Sequence, residues 1–179
     1  MNTENVKKLQ TMPEGLDAIL IPSEMHQYYL TGFNLQDGYV AVLRDRAFVF
    51  VDFRYIEAAR AEIDDALFTV YDKSGLEFIR DTLRDAGVKT VGFEDKVVTV
   101  DRFNWYKKVF GEETALQPIG GLLENQRTVK TEYELDMIKR AQAIGDAAFA
   151  HILGFITPDR TETEIAVELE YFMKRQGAS

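Results

Sequence analysis

The chain contains no cysteine, which removes disulfides, zinc ribbons, iron–sulfur clusters and thiol nucleophiles together and fits a reducing compartment. Only three serines are present, Ser23, Ser74 and Ser179, and none sits in a G-x-S-x-G elbow, which argues against a serine hydrolase. The two histidines, His26 and His151, lie far apart in sequence. His151 has no acidic residue at 147, 148, 154 or 155, so neither histidine carries the spacing of a catalytic zinc site. There is no G-x-x-x-x-G-K-[ST] and no G-x-G-x-x-G after a strand. The longest clean apolar run, Ala47–Val51, is far below the ~20 residues that span a bilayer. Met1–Gln10 is polar and lacks the apolar core of a signal peptide. With 21 Lys+Arg against 30 Asp+Glu, the formal charge is −9, and there is no basic excess to release counterions from phosphates. The expectation is a soluble, cytoplasmic protein with neither nucleic acid nor membrane as a partner.

What is present suits a folded core. The 179 residues are 46% hydrophobic and 12% aromatic, and a chain of this size buries roughly 70% of its unfolded surface. Val6, Leu9 and Met12, then Pro13 and Gly15, predict an opening helix that stops at a turn. Leu16–Ile21 reads as a buried strand ended by Pro22, and Tyr39–Arg44 with Ala47–Asp52 reads as a hairpin. Helix over Arg54–Ile63, strand over Ala66–Tyr71 and helix over Leu76–Ala86 follow, the last with a Ser74-x-x-Glu77 capping box and Gly87 as its left-handed stop. Val88–Glu94 is a further strand, Asp101 a candidate cap for a helix over Arg102–Phe110, and Ala115–Ile119 a last short strand.

From Asn125 onward the texture changes. Thr131-x-x-Glu134 is a capping box, and Leu135, Ile138, Ala141, Gly145, Ala148, Ile152 and Ile156 recur at spacings of three and four. Pro158 breaks this long helix, and Thr161-x-x-Glu164 caps another that carries Ile165, Leu169 and Phe172. The expected organisation is an α/β domain over residues 1–125 and a helical segment over 126–179. A helix pair has too little core to stand alone, so its apolar stripe is expected to be exposed or covered by something else.

Candidate chemistry is sparse. Asp64-Asp65 and Glu112-Glu113 sit in turns and read as solvated, whereas Glu94 ends a strand and is expected partly buried against an arginine. His26 and His151 read as surface or helix-packing residues. Asp52-Phe53-Arg54-Tyr55 joins a strand to a helix, so Asp52 is placed to cap the helix while Arg54 reaches an acidic partner. A structural ion pair is the favoured reading there over a substrate contact. Local physics alone stops at an α/β domain of open activity.

Several stretches taken together go further. Tyr29-Leu30-Thr31-Gly32-Phe33, Asp52-Phe53-Arg54-Tyr55 with Ala58-Ala59, and Val91-Gly92-Phe93-Glu94 resemble segments of the creatinase/prolidase N-terminal domain. Leu123, Arg127, Lys130, Glu134, Ile138 and Ala141 resemble that family's linker, and Thr161-Glu162, Ile165-Ala166 and Gly177 resemble the second helix of a pita-bread peptidase domain. The chain departs from the pattern at His26, where the family often has Asn, and at Asp159, where it often has Gly.

The resemblance implies a mixed sheet flanked by helices, ribonuclease H-like in topology, followed by a C-terminal pair of long helices. It implies the N-terminal domain of an Xaa-Pro dipeptidase or aminopeptidase P type enzyme. The complete enzyme would use two divalent ions (Mn, Co or Zn) on proline-containing peptides, with the ligand positions beyond Ser179, so no metal ligand is carried over and the 179 residues alone are expected to be inactive. A homodimer is implied, with this domain walling a neighbour's active site. The candidate gate is the loop Gly32–Tyr39, where Gly32 and Gly38 allow mobility, Phe33, Leu35, Asp37 and Tyr39 offer contacts, and Arg54 and Tyr55 give support. Two alternatives share these features: a stand-alone, non-enzymatic binding or dimerisation module, and a creatinase-like amidinohydrolase.

Overall fold

The computed structural model describes residues 2–178, so Met1 and Ser179 lie outside the described residues. Two compact units divide between Thr128 and Val129.

The first unit is built on a six-stranded sheet: β1 (Ala18–Ile21), β2 (Tyr39–Leu43), β3 (Ala47–Phe50), β4 (Phe68–Tyr71), β5 (Thr90–Phe93) and β6 (Ala115–Pro118), in the order β4-β3-β2-β1-β5-β6. β1–β2 and β2–β3 are antiparallel; β1–β5, β3–β4 and β5–β6 are parallel. This is the mixed sheet flanked by helices that the resemblance implies.

Alternation along the strands divides the core in two, because successive side chains point to opposite faces. Ile19, Ile21, Val40, Val42 and Val49 pack on one face with Val6 and Leu9 of α1 (Asn2–Gln10), Leu30 of α2 (Glu24–Thr31), Ala59 of α3 (Ile56–Glu62) and Leu123 of α6 (Leu122–Thr128). Leu20, Ala41, Phe48 and Phe50 pack on the other with Leu76, Ile79 and Leu83 of α4 (Leu76–Asp85) and Tyr106 and Phe110 of α5 (Val100–Phe110). Each fully buried Leu or Ile contributes about 1.5–3 kcal/mol, which makes the central strands the rigid support for the loops at their ends.

Two local expectations are corrected, and one helix is added that the sequence pattern does not assign. Ser74 does not cap α4: that helix begins at Leu76 and Gly75 stands at the cap without a side-chain bond, so Ser74 and Glu77 are out of phase with a capping box. Asp101 falls in the first turn of α5, whose cap is Thr99, its hydroxyl accepting from the Arg102 N–H at 3.2 Å. The polar stretch around His26 is a helix, α2, whose inward side carries His26, Gln27 and Thr31 beside Leu30 and so shows no apolar stripe.

The second unit is an antiparallel-type pair of helices, α7 (Glu132–Phe155) and α8 (Glu162–Arg175), each opened by the expected capping box at Thr131/Glu134 and Thr161/Glu164. His151 Nε2 meets Glu168 Oε1 at 2.7 Å and the imidazole stacks on Phe172. Only Ala148 and Ile152 of its apolar residues are buried, while Leu135, Ile138, Phe149, Leu153, Val167 and Tyr171 are exposed.

Candidate functional site at one edge of the sheet

β1, β3, β4, β5 and β6 all run the same way. Their C-terminal ends therefore share one edge, which is where sites of open α/β sheets form. At this edge the connections β1–α2, β3–α3 and β5–α5 bring together most of the polar chemistry of the unit.

Beneath the surface lies a buried cluster. Glu94, following β5, accepts from the backbone N–H of Ser23 (3.2 Å), from the Ser23 hydroxyl (2.9 Å) and from His26 Nδ1. His26 and Glu94 are only 2% and 4% exposed. With Glu94 as the acceptor, His26 Nδ1 is the donor of this bond. Among the described residues His26 Nε2 is buried without a hydrogen-bond partner, and the Tyr106 side chain is buried beside Tyr39. Burial, with Tyr39 alongside, pushes the Tyr106 hydroxyl pKa far up. The expected arginine partner of Glu94 is thus replaced by a serine and a histidine, and His26 is a packing residue with a specific partner.

The loop between α2 and β2 rests on this layer. Gln27 Nε2 donates to the carbonyls of Ile21 (3.0 Å) and Gly38 (2.8 Å), joining the end of β1 to the start of β2. The Thr31 hydroxyl accepts from Phe33 N–H at 3.1 Å and lies 2.8 Å from the Gln27 carbonyl, to which it donates. Phe33, Leu35 and Tyr39 turn inward and are buried, so the loop is nailed to both core faces. Gly38 is required for close approach: a Cβ there would sit 2.7 Å from the Phe50 carbonyl oxygen. The mobility expected from its glycines is replaced by anchoring.

Three of the six sequence-singled residues meet at the surface. Asp37 adopts φ 54° at the loop tip, with Arg54 Nη2 3.8 Å from its carboxylate. Asp52 accepts from both Arg54 N–H (3.0 Å) and Arg54 Nε (2.7 Å), which makes it the expected helix cap and ion-pair partner. Arg54 holds the Asp52 carboxyl below the usual aspartate range, and the Arg54 pKa is raised chiefly by Asp52, then by Tyr55 and Asp37. Tyr55 donates to Gln36 Oε1 at 2.8 Å. Sequence reasoning missed Ser23, Gln27, Gln36 and Tyr106 as members of this edge; Ser23 followed by a short run of polar residues before Leu30 was the available signal for α2.

Apolar exposure marks the same edge. Among the described residues, the large apolar side chains exposed on the first unit are Met25, Tyr28, Phe53, Val97, Val100 and Trp105. All lie on the connections that leave the C-terminal ends of β1, β3 and β5. Arg102 adds charge over the rings of Tyr39 and Trp105, at 5.8 and 5.2 Å. Among the described residues no group of three or more His, Asp or Glu is placed to hold a metal ion, so no step is derived through one here. No described helix is long and apolar enough to cross a membrane.

A mixed sheet of this topology with an anchored loop at its C-terminal edge defines the class. The chain belongs to the creatinase/prolidase N-terminal domain family, whose model matches residues 7–129. It is 33% identical over 164 residues to the uncharacterized peptidase YqhT of Bacillus subtilis, covering 92% of this chain and 46% of that protein. It resembles the solved Xaa-Pro dipeptidase from Bacillus anthracis with a TM-score of 0.88 and 31% identity, over 100% of this chain and 50% of that one. It also resembles the solved N-terminal domain of the cytoplasmic peptidase PepQ from Mycobacterium tuberculosis, with a TM-score of 0.61 and 30% identity, over 69% of this chain and 98% of that domain. The chain spans about half the length of the full-length relatives it matches.

Proposed function

We propose that the chain is the N-terminal, oligomerisation and substrate-gating part of a metal-dependent Xaa-Pro dipeptidase or aminopeptidase that works in the cytoplasm as a homodimer. Hydrolysis is supplied by a following pita-bread half carrying two divalent ions (Mn, Co or Zn), and the substrates are proline-containing peptides. The likeness to the Xaa-Pro dipeptidase from Bacillus anthracis supports the substrate class. The observation that supports the gating role is that the large exposed apolar side chains of the first unit, with Asp37 and Arg54, lie on the connections that leave one edge of the sheet.

Phe53 and Arg54 stand outward there on a turn fixed by Asp52, and the Gly32–Tyr39 loop is held as a preformed wall. Phe33, Leu35 and Tyr39 support that wall from inside, while Asp37 and Arg54 face solvent and Tyr55 packs half-buried against the core. Preorganisation of this kind lowers the ordering cost of docking. The test is cleavage of an Xaa-Pro dipeptide by the complete protein with Mn²⁺, read alongside its mass in solution. Cleavage by a dimer supports the reading. Turnover of creatine with no dipeptide cleavage overturns it in favour of an amidinohydrolase.

A further inference from the structure

β4 is an outer strand of the sheet, and among the described residues its only strand partner is β3. Val51 N–H bonds the Tyr71 carbonyl at 3.0 Å, so Tyr71 turns its backbone groups toward β3. By the two-residue alternation of a strand, Val70 turns its N–H and C=O outward. Beside this edge runs a groove of about 720 Å³ between β4 and α4. Its floor is aromatic: Phe48, Tyr71 and Phe78 meet edge to face with centroids 5.5–5.8 Å apart. Thr69 and Thr82 line its sides and Asp85 one end.

An open strand edge beside a helix, with a side-chain groove between them, is the geometry of β-strand addition. We infer that this edge binds an extended, basic peptide segment, which adds to β4 through Val70 and lays alternate aromatic or aliphatic side chains on Tyr71 and Phe78. Charge selects the occupant. Asp64 and Asp65 precede β4, Asp72 follows it, and Asp65, Asp72 and Asp85 have no ion-pair partner among the described residues. The nearby cations are engaged: Arg46 in a fork with Asp45, and Lys73 over the Phe78 ring at 5.2 Å. A second copy would set these acidic ends against one another, whereas a Lys- or Arg-bearing strand complements them.

The experiment titrates the isotopically labelled 179-residue chain with an acetylated, amidated peptide of alternating Lys and Tyr, and separately with its Glu-and-Tyr counterpart, by NMR. The Lys peptide is expected to shift Thr69–Asp72 and Thr82–Ala86 and to slow exchange of the Val70 amide, more weakly as salt rises. Val70→Pro removes the outward N–H at a position where an edge strand tolerates proline, and should weaken binding by about tenfold or more with the thermal midpoint retained. Asp85→Lys should weaken it with the strand intact, which keeps the test sound if the proline variant unfolds. Equal binding of both peptides, binding that survives both substitutions, or no binding of the Lys peptide overturns the inference. So does concentration-dependent self-association abolished by Val70→Pro, which assigns the edge to a second copy.

Discussion

The side-chain amide of Gln27 reaches the Gly38 carbonyl at 2.8 Å, so the helix that leaves β1 fixes the base of the loop that enters β2. The same nitrogen bonds Ile21 O, and both acceptors lie at the rim of the sheet where the β1–β2 ladder ends at the Ile21–Val40 pair. Loop 32–38 is therefore part of the scaffold, with its tip residues Asn34, Gln36 and Asp37 exposed on a rigid base.

Gln27→Leu deletes both bonds and leaves two carbonyls near the core without a donor. The expected cost is about 1–3 kcal/mol, read as a lower urea midpoint with an unchanged slope. Hydrogen exchange at Asn34–Asp37 should quicken more than at β3. Unchanged exchange in the loop would show that Leu35 alone anchors it.

Glu94→Ala strips a buried histidine and the Ser23 N–H of their acceptor. Leaving buried donors without their acceptor costs about 1–3 kcal/mol. The effects of Glu94→Ala and His26→Ala should be non-additive by about 0.5–3 kcal/mol in a double-mutant cycle. Additive losses would mean that each residue is held by its other neighbours.

The α8 capping box sets an acid limit for that helix. The backbone and hydroxyl of Thr161 donate to Glu164 at 2.8 and 3.0 Å and hold its pKa below the usual glutamate range. A carboxyl lowered in the folded state stabilises it above its unfolded pKa of about 4.3, and that contribution is lost as pH falls through the folded value. A carboxyl titration by NMR should place the Glu164 midpoint below the ordinary glutamate value. Thr161→Val should move it upward, and an unmoved midpoint would remove the hydroxyl from the cause.

Legibility in the sequence followed the kind of signal. The long helices and both of their caps could be read because Thr131, Glu134, Thr161 and Glu164 carry their chemistry within one turn. The β2–β3 hairpin could be read because its strands are short apolar runs joined across Asp45-Arg46. The helix α2 could not, since its inward side is His26, Gln27 and Thr31, whose burial is repaid only by partners up to 68 residues away. The same distance hid the Glu94 partners. For the loop, Phe33, Leu35 and Tyr39 are apolar in sequence whether they face a partner or a core, and the three-dimensional packing alone distinguishes the two.

The surface ion pair of Arg54 with Asp52 and Asp37 is the most direct handle on the proposed gating role. The measurement is kcat and KM for an Xaa-Pro dipeptide on the complete protein, with Asp37→Asn, which suits the left-handed backbone at that position, and Arg54→Ala compared with the parent at matched metal content. These exposed residues contribute little to folding, so the account predicts a fall in kcat/KM of about tenfold or more with unchanged thermal stability. Parent-like kinetics in both variants would contradict it.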